Sequence, residues 1–306
     1  METNNPNVIG SSGNITALYR MMLEKLHTDG EMQQISRVGS TIELRNAISV
    51  LENPYSRYIT DHARKHSIKY VKAEFLWYMI KNRNKAFIAD FADMWNKVSD
   101  DGVNVNSNYG QKVFAKSRDI YNEEEPYNQF DHVLNELLVS PDSRRAIWLY
   151  HDVNDILNNT KDFPCSIVSQ FMIRNNKLHQ TVYMRSCDAI FGWCNDIPAF
   201  SLFQEMLLRK LQVKYENLHM GNLTHIAGSL HIYEHHWKLL DNIYDTQHTP
   251  NYFGEVFPKM SITDVDQLMA LSSIHDVQSF RNSKSEFLNY LVEDVIPDPN
   301  SSGRGD

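Results

Sequence analysis

Cysteine is scarce in this chain, which has three cysteines, Cys165, Cys187 and Cys194, among its 306 residues. An odd number of cysteines at this density cannot form the disulfide framework of a small secreted domain. Free thiols survive in a reducing compartment, so the cysteine content favours an intracellular protein.

Positive charge is also in deficit, with 30 lysines and arginines against 38 acidic residues and a formal net charge of −8. A nucleic-acid-binding protein needs a basic surplus to neutralise phosphates, so we expect no nucleic-acid partner. No apolar run approaches the ~18 residues of a membrane span, and Met1–Pro6 lacks the basic start and apolar stretch of a signal peptide. These absences predict a soluble cytoplasmic protein with no membrane partner.

The hydrophobic content, 42% over 306 residues, is sufficient to bury a large core. The length favours one domain over several, and no internal repeat, low-complexity tract or glycine-serine linker divides the sequence. The polar residues 1–14 and the turn-forming residues 297–306 are typical of flexible tails. We therefore predict a single domain over residues 15–296 between two tails.

The hydrophobic pattern alternates between the helical period and the strand period. Two period-2 runs, Ser166–Arg174 and Leu178–Met184, flank two asparagines and predict a β-hairpin. A hairpin requires antiparallel pairing, so interleaved helices and strands here indicate an α/β or α+β fold with a mixed sheet flanked by helices. Further strands are predicted at Thr41–Leu51, Ala146–Tyr150 and Thr224–Tyr233, and helices at Ile15–Leu26, Ile68–Ile80, Phe130–Leu138 and from about Pro198.

Cys165 follows a proline and directly precedes the first strand of the predicted hairpin. A thiol at a strand entrance with arginines nearby is expected to be held partly as thiolate, which is the nucleophilic form. Most isolated cysteines are instead buried hydrophobic residues, so both roles stay open on this evidence.

Adjacent arginines, Arg144 and Arg145, stand on a predicted turn between a helix and a strand. Planar guanidinium groups bind phosphate oxygens bidentately, so the pair is a candidate phosphate site, with a solvated surface pair as the alternative. Arg37, beside a glycine and hydroxyl residues, is equally compatible with phosphate binding and with a simple turn.

The segment Arg185–Asp188 ends a predicted strand in Arg, Ser, Cys and Asp, and strand ends that lead into loops often carry functional residues. A second acid, Asp196, lies eight residues after Asp188 at a predicted helix start. It is a candidate site residue, and the alternative is that it only caps the helix.

Two histidines near the end of the last predicted strand, His231 and His235, have the spacing of a metal pair on a helix. The run up to Tyr233 has strand character, however, and no nearby cysteine or acid set completes a tetrahedral site. On a strand, His231 and Tyr233 face the same side and can together hold a hydroxyl group. We therefore predict a hydroxyl-binding pair and no metal.

Glu74 lies within an apolar predicted helix. It is either a residue whose carboxylate reaches water or a buried acid with a shifted pKa. Trp95 and Tyr109 are, on the pattern alone, aromatic residues of the core.

Together these segments resemble the thymidylate synthase superfamily. Pro164-Cys165 is similar to its nucleophile motif, and the segment Arg185–Asp188, followed by Gly192, stands twenty residues after the cysteine as in that family. The resemblance covers roughly residues 15–245. The other matching positions, in the expected order, are Glu74, Trp95, Tyr109-Gly110, Ser140–Arg145 and Gly228–Tyr233.

Two departures narrow the choice within the superfamily. Thymidylate synthases carry His after the catalytic cysteine, where this chain has Ser166, and Asn at the pyrimidine-reading position, where it has Asp196. This Asp, together with the segment Asn106–Gly110, resembles the phage deoxycytidylate hydroxymethylases. Uracil offers an N3–H donor and an O4 acceptor, which an Asn amide satisfies, whereas cytosine offers an N3 acceptor and an amino donor, which suit a carboxyl group.

The resemblance implies a homodimer with back-to-back sheets and shared sites, and one-carbon transfer from 5,10-methylenetetrahydrofolate without a metal. It implies that Cys165 adds to C6 of the pyrimidine of dCMP, that Glu74 organises the water that completes hydroxymethylation, and that Asp188 takes part in catalysis and holds the pterin. The implied folate-pocket residues are Trp95, Tyr109 and Gly192. The implied nucleotide-binding residues are Asp196 for the base, His231 and Tyr233 for the ribose hydroxyl, and Arg37, Arg185, Ser186 and, across the dimer, Arg144 and Arg145 for the 5′-phosphate.

Other activities fit part of this pattern. Within the superfamily the alternatives are a cytidylate hydroxymethylase acting on the ribonucleotide, against which Ser186 weighs, and a thymidylate synthase with an unusual base pocket. An inactive nucleotide- or RNA-binding relative is disfavoured by the intact set of Cys165, Glu74 and Arg185. A Cys-His hydrolase is disfavoured because the sequence places no His as a base for Cys165.

Overall fold

A single mixed sheet runs through the centre of the computed structural model, and eight strands pair within it. The structure describes residues 8–33, 39–61, 63–116, 127–151, 153–157, 159–245 and 257–297. The strands are β1 (Val8–Ser12), β2 (Glu31–Gln33), β3 (Thr41–Leu51), β4 (Ile147–Leu149), β5 (Ser166–Arg174), β6 (Lys177–Met184), β7 (Cys187–Asp188) and β8 (His219–Tyr233).

The strand directions confirm the predicted mixed sheet with flanking helices. The order across the sheet is β1-β3-β8-β6-β5-β4, with β2 also paired to β3 and β7 to β8. β3 with β8 and β5 with β6 are antiparallel, whereas β6 with β8 and β1 with β3 are parallel. Asn175 and Asn176 adopt left-handed conformations with φ of 50° and 57°, which is the geometry of a tight hairpin turn.

The N-terminal strand β1 was not expected from the sequence, which predicts a flexible tail over residues 1–14. Residues Val8–Ser12 pair in parallel with β3, and Ile9 is buried. Asn14 then caps the first helix by accepting a hydrogen bond from the Ala17 N–H at 3.0 Å. The prediction of a loose tail is therefore wrong from Val8 onward, and residues 1–7 and 298–306 lie outside the described residues.

Helices pack around the sheet, and no helix among the described residues is long and apolar enough to cross a bilayer. The helices are α1 (Ile15–Asp29), α2 (Ile68–Ile80), α3 (Ala86–Ala89), α4 (Met94–Val98), α5 (Tyr109–Phe114), α6 (Gln129–Val139), α7 (Val153–Leu157), α8 (Trp193–Leu211), α9 (Trp237–Asp245), α10 (Ile262–Ala270), α11 (Ile274–Val277) and α12 (Glu286–Val292).

Helix α8 begins earlier than the sequence predicts. It starts at Trp193 with Gly192 as the N-cap residue, so Asp196 lies inside the first turn and does not cap the helix near Pro198. Proline is most common at the first helical position, which explains the wrong prediction. As a result, the Asp196 side chain makes no capping hydrogen bond at the start of α8.

Helix α2 is buried on all sides, as expected for a helix that is hydrophobic around its circumference. Every residue from Val71 to Ile80 is buried, including the ionisable residues Lys72 and Glu74. α2 packs against α8 and α5. The core of the molecule therefore carries a carboxyl group.

Candidate active site

Cys165 stands at the entrance of β5, directly opposite the end of β6. The backbone N–H of Arg185 donates to the Cys165 carbonyl at 2.9 Å. The Arg185 guanidinium donates to the carbonyls of Phe163 (2.7 Å) and Pro164 (3.0 Å), and its Nη2 lies 3.9 Å from the Cys165 Sγ. The hairpin register therefore brings the predicted nucleophile and a fixed cation together.

The Cys165 thiol is half-buried. Burial raises its pKa to about 11, and nearby acids add to the rise, while the positive charge of Arg185 partly offsets it. The prediction that this cysteine is held partly as thiolate is therefore wrong for the ligand-free protein. The proton must leave as the sulfur reacts, with Arg185 positioned to stabilise the developing charge.

Glu74 projects from α2 into a buried chain of hydrogen bonds. Its Oε1 accepts from the Tyr70 hydroxyl at 2.8 Å, and that hydroxyl in turn accepts from the Trp95 Nε1–H at 3.1 Å. The other carboxyl oxygen is buried and has no hydrogen-bond partner among the described residues. Burial raises the pKa of Glu74 to about 7, although the hydrogen bond from Tyr70 and the nearby Tyr78 hydroxyl act in the opposite direction. Glu74 can therefore exchange a proton near neutral pH.

This pKa predicts a stability effect for Glu74→Gln. Between the ordinary pKa of 4.5 and about 7, folding retains a proton that the unfolded chain has lost, so the free energy of unfolding falls as the pH rises. Gln has no proton to lose in this range. The free energy of unfolding of Glu74→Gln minus that of wild type should therefore be larger at pH 8 than at pH 4, by up to about 3 kcal/mol. Denaturant unfolding at both pH values measures this, with the exposed Glu216→Gln as the control. An equal difference between wild type and variant at the two pH values would contradict the buried-acid assignment.

Asp196 faces the same interior from the first turn of α8. Burial raises its pKa well above the ordinary value, and the nearby carboxylates of Glu74 and Asp188 raise it further. No hydrogen bond from a described residue offsets these effects. The raised pKa favours the neutral form of the Asp196 carboxyl, which offers one donor and one acceptor.

Asp188 and Gly192 form the turn that leads from β7 into α8. The Asp188 Oδ1 accepts from the Ile190 N–H at 2.9 Å. A Cβ at position 192 would lie 2.9 Å from the Asp188 carbonyl oxygen, which explains why glycine stands there. Glycine at this position is thus required by the turn itself, whatever its contact with a ligand.

Tyr109 lies at the start of α5 and contacts the residue that follows Cys165. Its ring stacks on Tyr78 with centroids 5.3 Å apart, and its hydroxyl accepts from the Ser166 N–H at 3.4 Å. The Ser166 Oγ is buried without a hydrogen-bond partner among the described residues. At Gly110 a Cβ would come within 1.8 Å of the Tyr78 carbonyl oxygen, so the Tyr-Gly pair permits α5 to contact α2 closely.

His231 and Tyr233 lie at the end of β8, beside the Asp188 end of β7. Their rings are in edge contact with centroids 4.8 Å apart, as expected for alternate residues on one strand face. Burial lowers the pKa of His231, which favours the neutral ring that can accept a hydroxyl proton. Among the described residues, no group of three His, Cys, Asp and Glu side chains could hold a metal ion.

The paired arginines are not part of this cluster. Arg144 and Arg145 are exposed on the loop before β4, where Arg145 pairs with Glu136 at 3.2 Å. The Ala146 carbonyl accepts from the Phe171 N–H, six residues along β5 from Cys165, which corresponds to about 20 Å of strand. Arg37 lies outside the described residues.

Several residues that support the site were not identified from the sequence. His151 Nε2 lies 2.8 Å from the Pro164 carbonyl, and the Asp162 carboxylate accepts from the backbone N–H groups of Asn106 (2.5 Å) and Ser107 (2.7 Å). Tyr70 could have been found, because it precedes Glu74 by one helical turn. Asp162 acts across a sequence separation of more than fifty residues, for which no local pattern exists.

Known proteins resemble this chain in sequence and in fold. A family model described as thymidylate synthase matches residues 17–295. The deoxycytidylate 5-hydroxymethyltransferases of Enterobacteria phages T2 and T4 are both 29% identical to this chain, covering 70% and 68% of it and 86% and 82% of their own lengths. The deoxyuridylate hydroxymethyltransferase of Bacillus phage SP01 is 30% identical over 71% of this chain and 57% of its own length. In fold, the thermostable thymidylate synthase A from Bacillus subtilis is similar with a TM-score of 0.63 and 20% identity, covering 77% of this chain and 86% of that one.

Proposed function

This chain belongs to the thymidylate synthase family of folate-dependent one-carbon transferases, and we propose that within it the protein is a deoxycytidylate 5-hydroxymethyltransferase. In the proposed reaction, the one-carbon unit of 5,10-methylenetetrahydrofolate is transferred to C5 of dCMP, and water is added. The products are 5-hydroxymethyl-dCMP and tetrahydrofolate.

The observation that carries this proposal is the half-buried carboxyl of Asp196, whose pKa is raised well above its ordinary value. A protonated carboxyl donates to N3 of cytosine and accepts from its 4-amino group, and transfer of the proton to N3 leaves a charge-assisted pair. Uracil can be paired only by the neutral carboxyl, because an ionised one would set its lone pairs against O4. Cytosine can take the shared proton on N3 and so form a charge-assisted pair with Asp196, which uracil cannot form.

A second candidate, hydroxymethylation of dUMP, is favoured by one comparison. The relative from phage SP01, at 30% identity, is named as a deoxyuridylate hydroxymethyltransferase. Its reaction on C5 would need the same water, so Glu74 does not separate the two candidates. Asp196 does, since only cytosine can take up its proton and form a charge-assisted pair.

Cys165 and Glu74 supply the chemistry in this proposal. The Cys165 Sγ bonds to C6 of the pyrimidine as the thiol loses its proton, and C5 becomes nucleophilic towards the methylene carbon of the folate. Loss of the C5 proton and departure of tetrahydrofolate leave an exocyclic methylene group, to which water adds before the cysteine leaves. The unpartnered buried oxygen of Glu74 supports its role in orienting that water and relaying the proton.

Folate is proposed to bind beside Asp188, Trp95, Tyr109 and Gly192. Only one oxygen of Asp188 is used by the Ile190 N–H, so the carboxylate can also accept N–H groups of a pterin. Trp95 and Tyr109 are almost wholly buried and support the pocket from behind. This is the chemistry of an organic cosubstrate held by hydrogen bonds and ring contacts, and we propose no metal.

The nucleotide's sugar and phosphate are proposed to lie along the ends of β6 and β8. Arg185 and Ser186 follow β6 directly, and His231 and Tyr233 end β8 on the neighbouring strand. We propose that the first pair binds the 5′-phosphate and the second the ribose hydroxyl. The three cysteines are free, which supports the proposed cytoplasmic location.

A homodimer is proposed because one part of the sheet surface presents apolar side chains to solvent. Ile147 and Leu149 on the edge strand β4 are 42% and 46% exposed, and Tyr183 on β6 is 36% exposed. Covering such a face with a second copy buries it without a further partner. Because Arg144 and Arg145 lie about 20 Å along the sheet from Cys165 of their own chain, we propose that they bind the phosphate in the partner's site.

This dimer predicts complementation between two inactive variants. Cys165→Ser lacks the nucleophile, and an Arg144→Ala, Arg145→Ala double variant lacks the phosphate contacts. After subunit exchange at equal amounts, half the dimers are mixed, and one of their two sites has both the cysteine and the partner's arginines. Activity should return to about one quarter of wild type. No recovery, after mixed dimers have been demonstrated by mass, would place the arginines in the same chain's site or outside it.

The proposed reaction is tested directly by its two products. The protein is incubated with 5,10-methylenetetrahydrofolate and dCMP, the nucleotide is analysed by mass, and the folate by absorbance. We expect dCMP to gain one CH2O unit and the folate to emerge as tetrahydrofolate. A methylated nucleotide accompanied by dihydrofolate would instead identify a synthase.

A further inference from the structure

The loop that carries Asp196 is held by a short segment between β3 and α2. This loop is defined as residues Ile190–Asp196, which comprise the connection after β7 and the first turn of α8. The segment that holds this loop is Arg64–His66. Both Arg64 and His66 are buried, with 7% and 5% of their surface exposed. Neither belongs to the proposed chemistry, so their burial against this loop calls for another explanation.

Arg64 binds the first half of the loop. Its Nε donates to the Ile190 carbonyl at 2.7 Å, and its Nη2 lies 3.0 Å from the Cys194 Sγ. The guanidinium also lies over the Phe191 ring, 4.4 Å from the centroid. Phe191 is 45% exposed, and its ring also contacts His236 with centroids 4.8 Å apart, so Arg64 and His236 together hold a ring that is partly in solvent.

His66 binds the second half of the loop through Asn195, the residue before Asp196. The His66 Nδ1 accepts from the Ile59 N–H at 3.3 Å, so the neutral ring carries its proton on Nε2. The Nε2–H then donates to the Asn195 Oδ1 at 3.1 Å, and the Asn195 Nδ2 donates to the Phe191 carbonyl at 2.7 Å. Burial and the charge of Arg64 lower the pKa of His66 to about 4, so the ring keeps this arrangement at neutral pH.

The backbone between these two residues directs both side chains to the same loop. Lys65 has a positive φ of 49°, a left-handed conformation that is uncommon outside glycine and asparagine. The Asp61 carboxylate stabilises the turn by accepting from the backbone N–H groups of Ala63 (3.0 Å) and Arg64 (3.3 Å). A strained residue whose neighbours both engage one loop is typical of a segment that serves a functional site.

We propose that Arg64 and His66 are positioning residues that fix the Asp196 carboxyl against the edge of the pyrimidine and so contribute to base selectivity. The proposal rests on the base-reading role proposed for Asp196. A carboxyl held in place presents its donor to N3 and its acceptor to the amino group. If the helix turn shifts, the carboxyl no longer aligns with N3 and the amino group, the charge-assisted pair with cytosine weakens, and the discrimination against uracil declines.

Variants at His66 separate positioning from general support. His66→Asn retains an acceptor for the Ile59 N–H but is too short to reach Asn195, whereas His66→Gln retains a donor near the Nε2 position. We expect His66→Asn to lower the ratio of kcat/KM for dCMP to that for dUMP by about tenfold and His66→Gln to restore most of it. His132→Asn, on the exposed side of α6, is the matched control. A purely structural role for His66 would lower the two values in equal proportion.

The same ratio is measured by equilibrium binding of each nucleotide, which requires no turnover. Asn195→Ala removes the acceptor of the hydrogen bond from His66 and should lower the ratio as much as His66→Asn does. The double variant should lower the ratio no further. An unchanged ratio in both single variants would overturn the proposal. If the wild type instead favours dUMP, the function proposed above fails, but a change in that preference in His66→Asn, reversed in His66→Gln, would still support the positioning role.

Discussion

Replacing Asp196 with Asn should reverse the nucleotide preference from dCMP to dUMP. The amide presents an N–H to O4 and an oxygen to N3–H of uracil, so each contact that suits cytosine in the wild type is exchanged for one that suits uracil. Two reversed contacts, at about 1–3 kcal/mol for each unmet polar group, change the ratio of kcat/KM values by about 100-fold or more. Initial rates with each nucleotide measure the ratio, and Asp241→Asn on the exposed face of α9 is the control.

The pH dependence adds an independent check on Asp196. Because its pKa is raised by burial, any turnover of dUMP by the wild type should decline as the pH rises and the carboxyl ionises against O4. The Asn variant has no such group and should lose this decline. An unchanged dCMP-to-dUMP ratio in Asp196→Asn would remove Asp196 from base recognition.

Replacing Cys165 with Ser should lower turnover by a factor on the order of 10⁴ or more. A buried site that already raises the thiol pKa to about 11 would hold a serine hydroxyl, a far weaker acid, entirely in the neutral form. Nucleotide binding should persist, because the residues proposed to hold the base and sugar are unchanged. Single-turnover assays and equilibrium binding of dCMP measure the two effects separately.

The control for this variant is Cys187→Ala, which removes a buried thiol from the adjacent strand β7. It should retain most of the turnover and should still form a covalent complex with a C5-substituted nucleotide analogue, which Cys165→Ser should not. Full activity in Cys165→Ser would refute covalent catalysis and favour an enzyme that activates the pyrimidine by other means.

Local pattern was sufficient for most of the fold. Thr41–Leu51 and Ile68–Ile80 have the limits that their periodicity predicts, and the Asn175-Asn176 turn forms the expected hairpin. β1 was missed because five residues rich in glycine and serine carry no clear alternation. The start of α8 was misplaced because a proline in its second turn imitates a helix start.

The site was less accessible to sequence reasoning, because its properties depend on tertiary contacts. The identity of Cys165 and Glu74 followed from a family resemblance, but the raised pKa of each arises from burial that no spacing reveals. His66 acts on Asn195 across more than one hundred residues, and its role depends on which ring nitrogen carries the proton. Only the folded structure shows the contact between His66 and Asn195 and the hydrogen bonds that decide which nitrogen is protonated.

A competition experiment tests whether the protein hydroxymethylates dCMP selectively. The wild-type protein receives dCMP, CMP and dUMP at equal concentrations with 5,10-methylenetetrahydrofolate, and the initial rate at which each nucleotide is consumed gives the ratios of kcat/KM. We expect dCMP to be consumed first and to emerge hydroxymethylated. Consumption of dUMP before dCMP would contradict selectivity for dCMP.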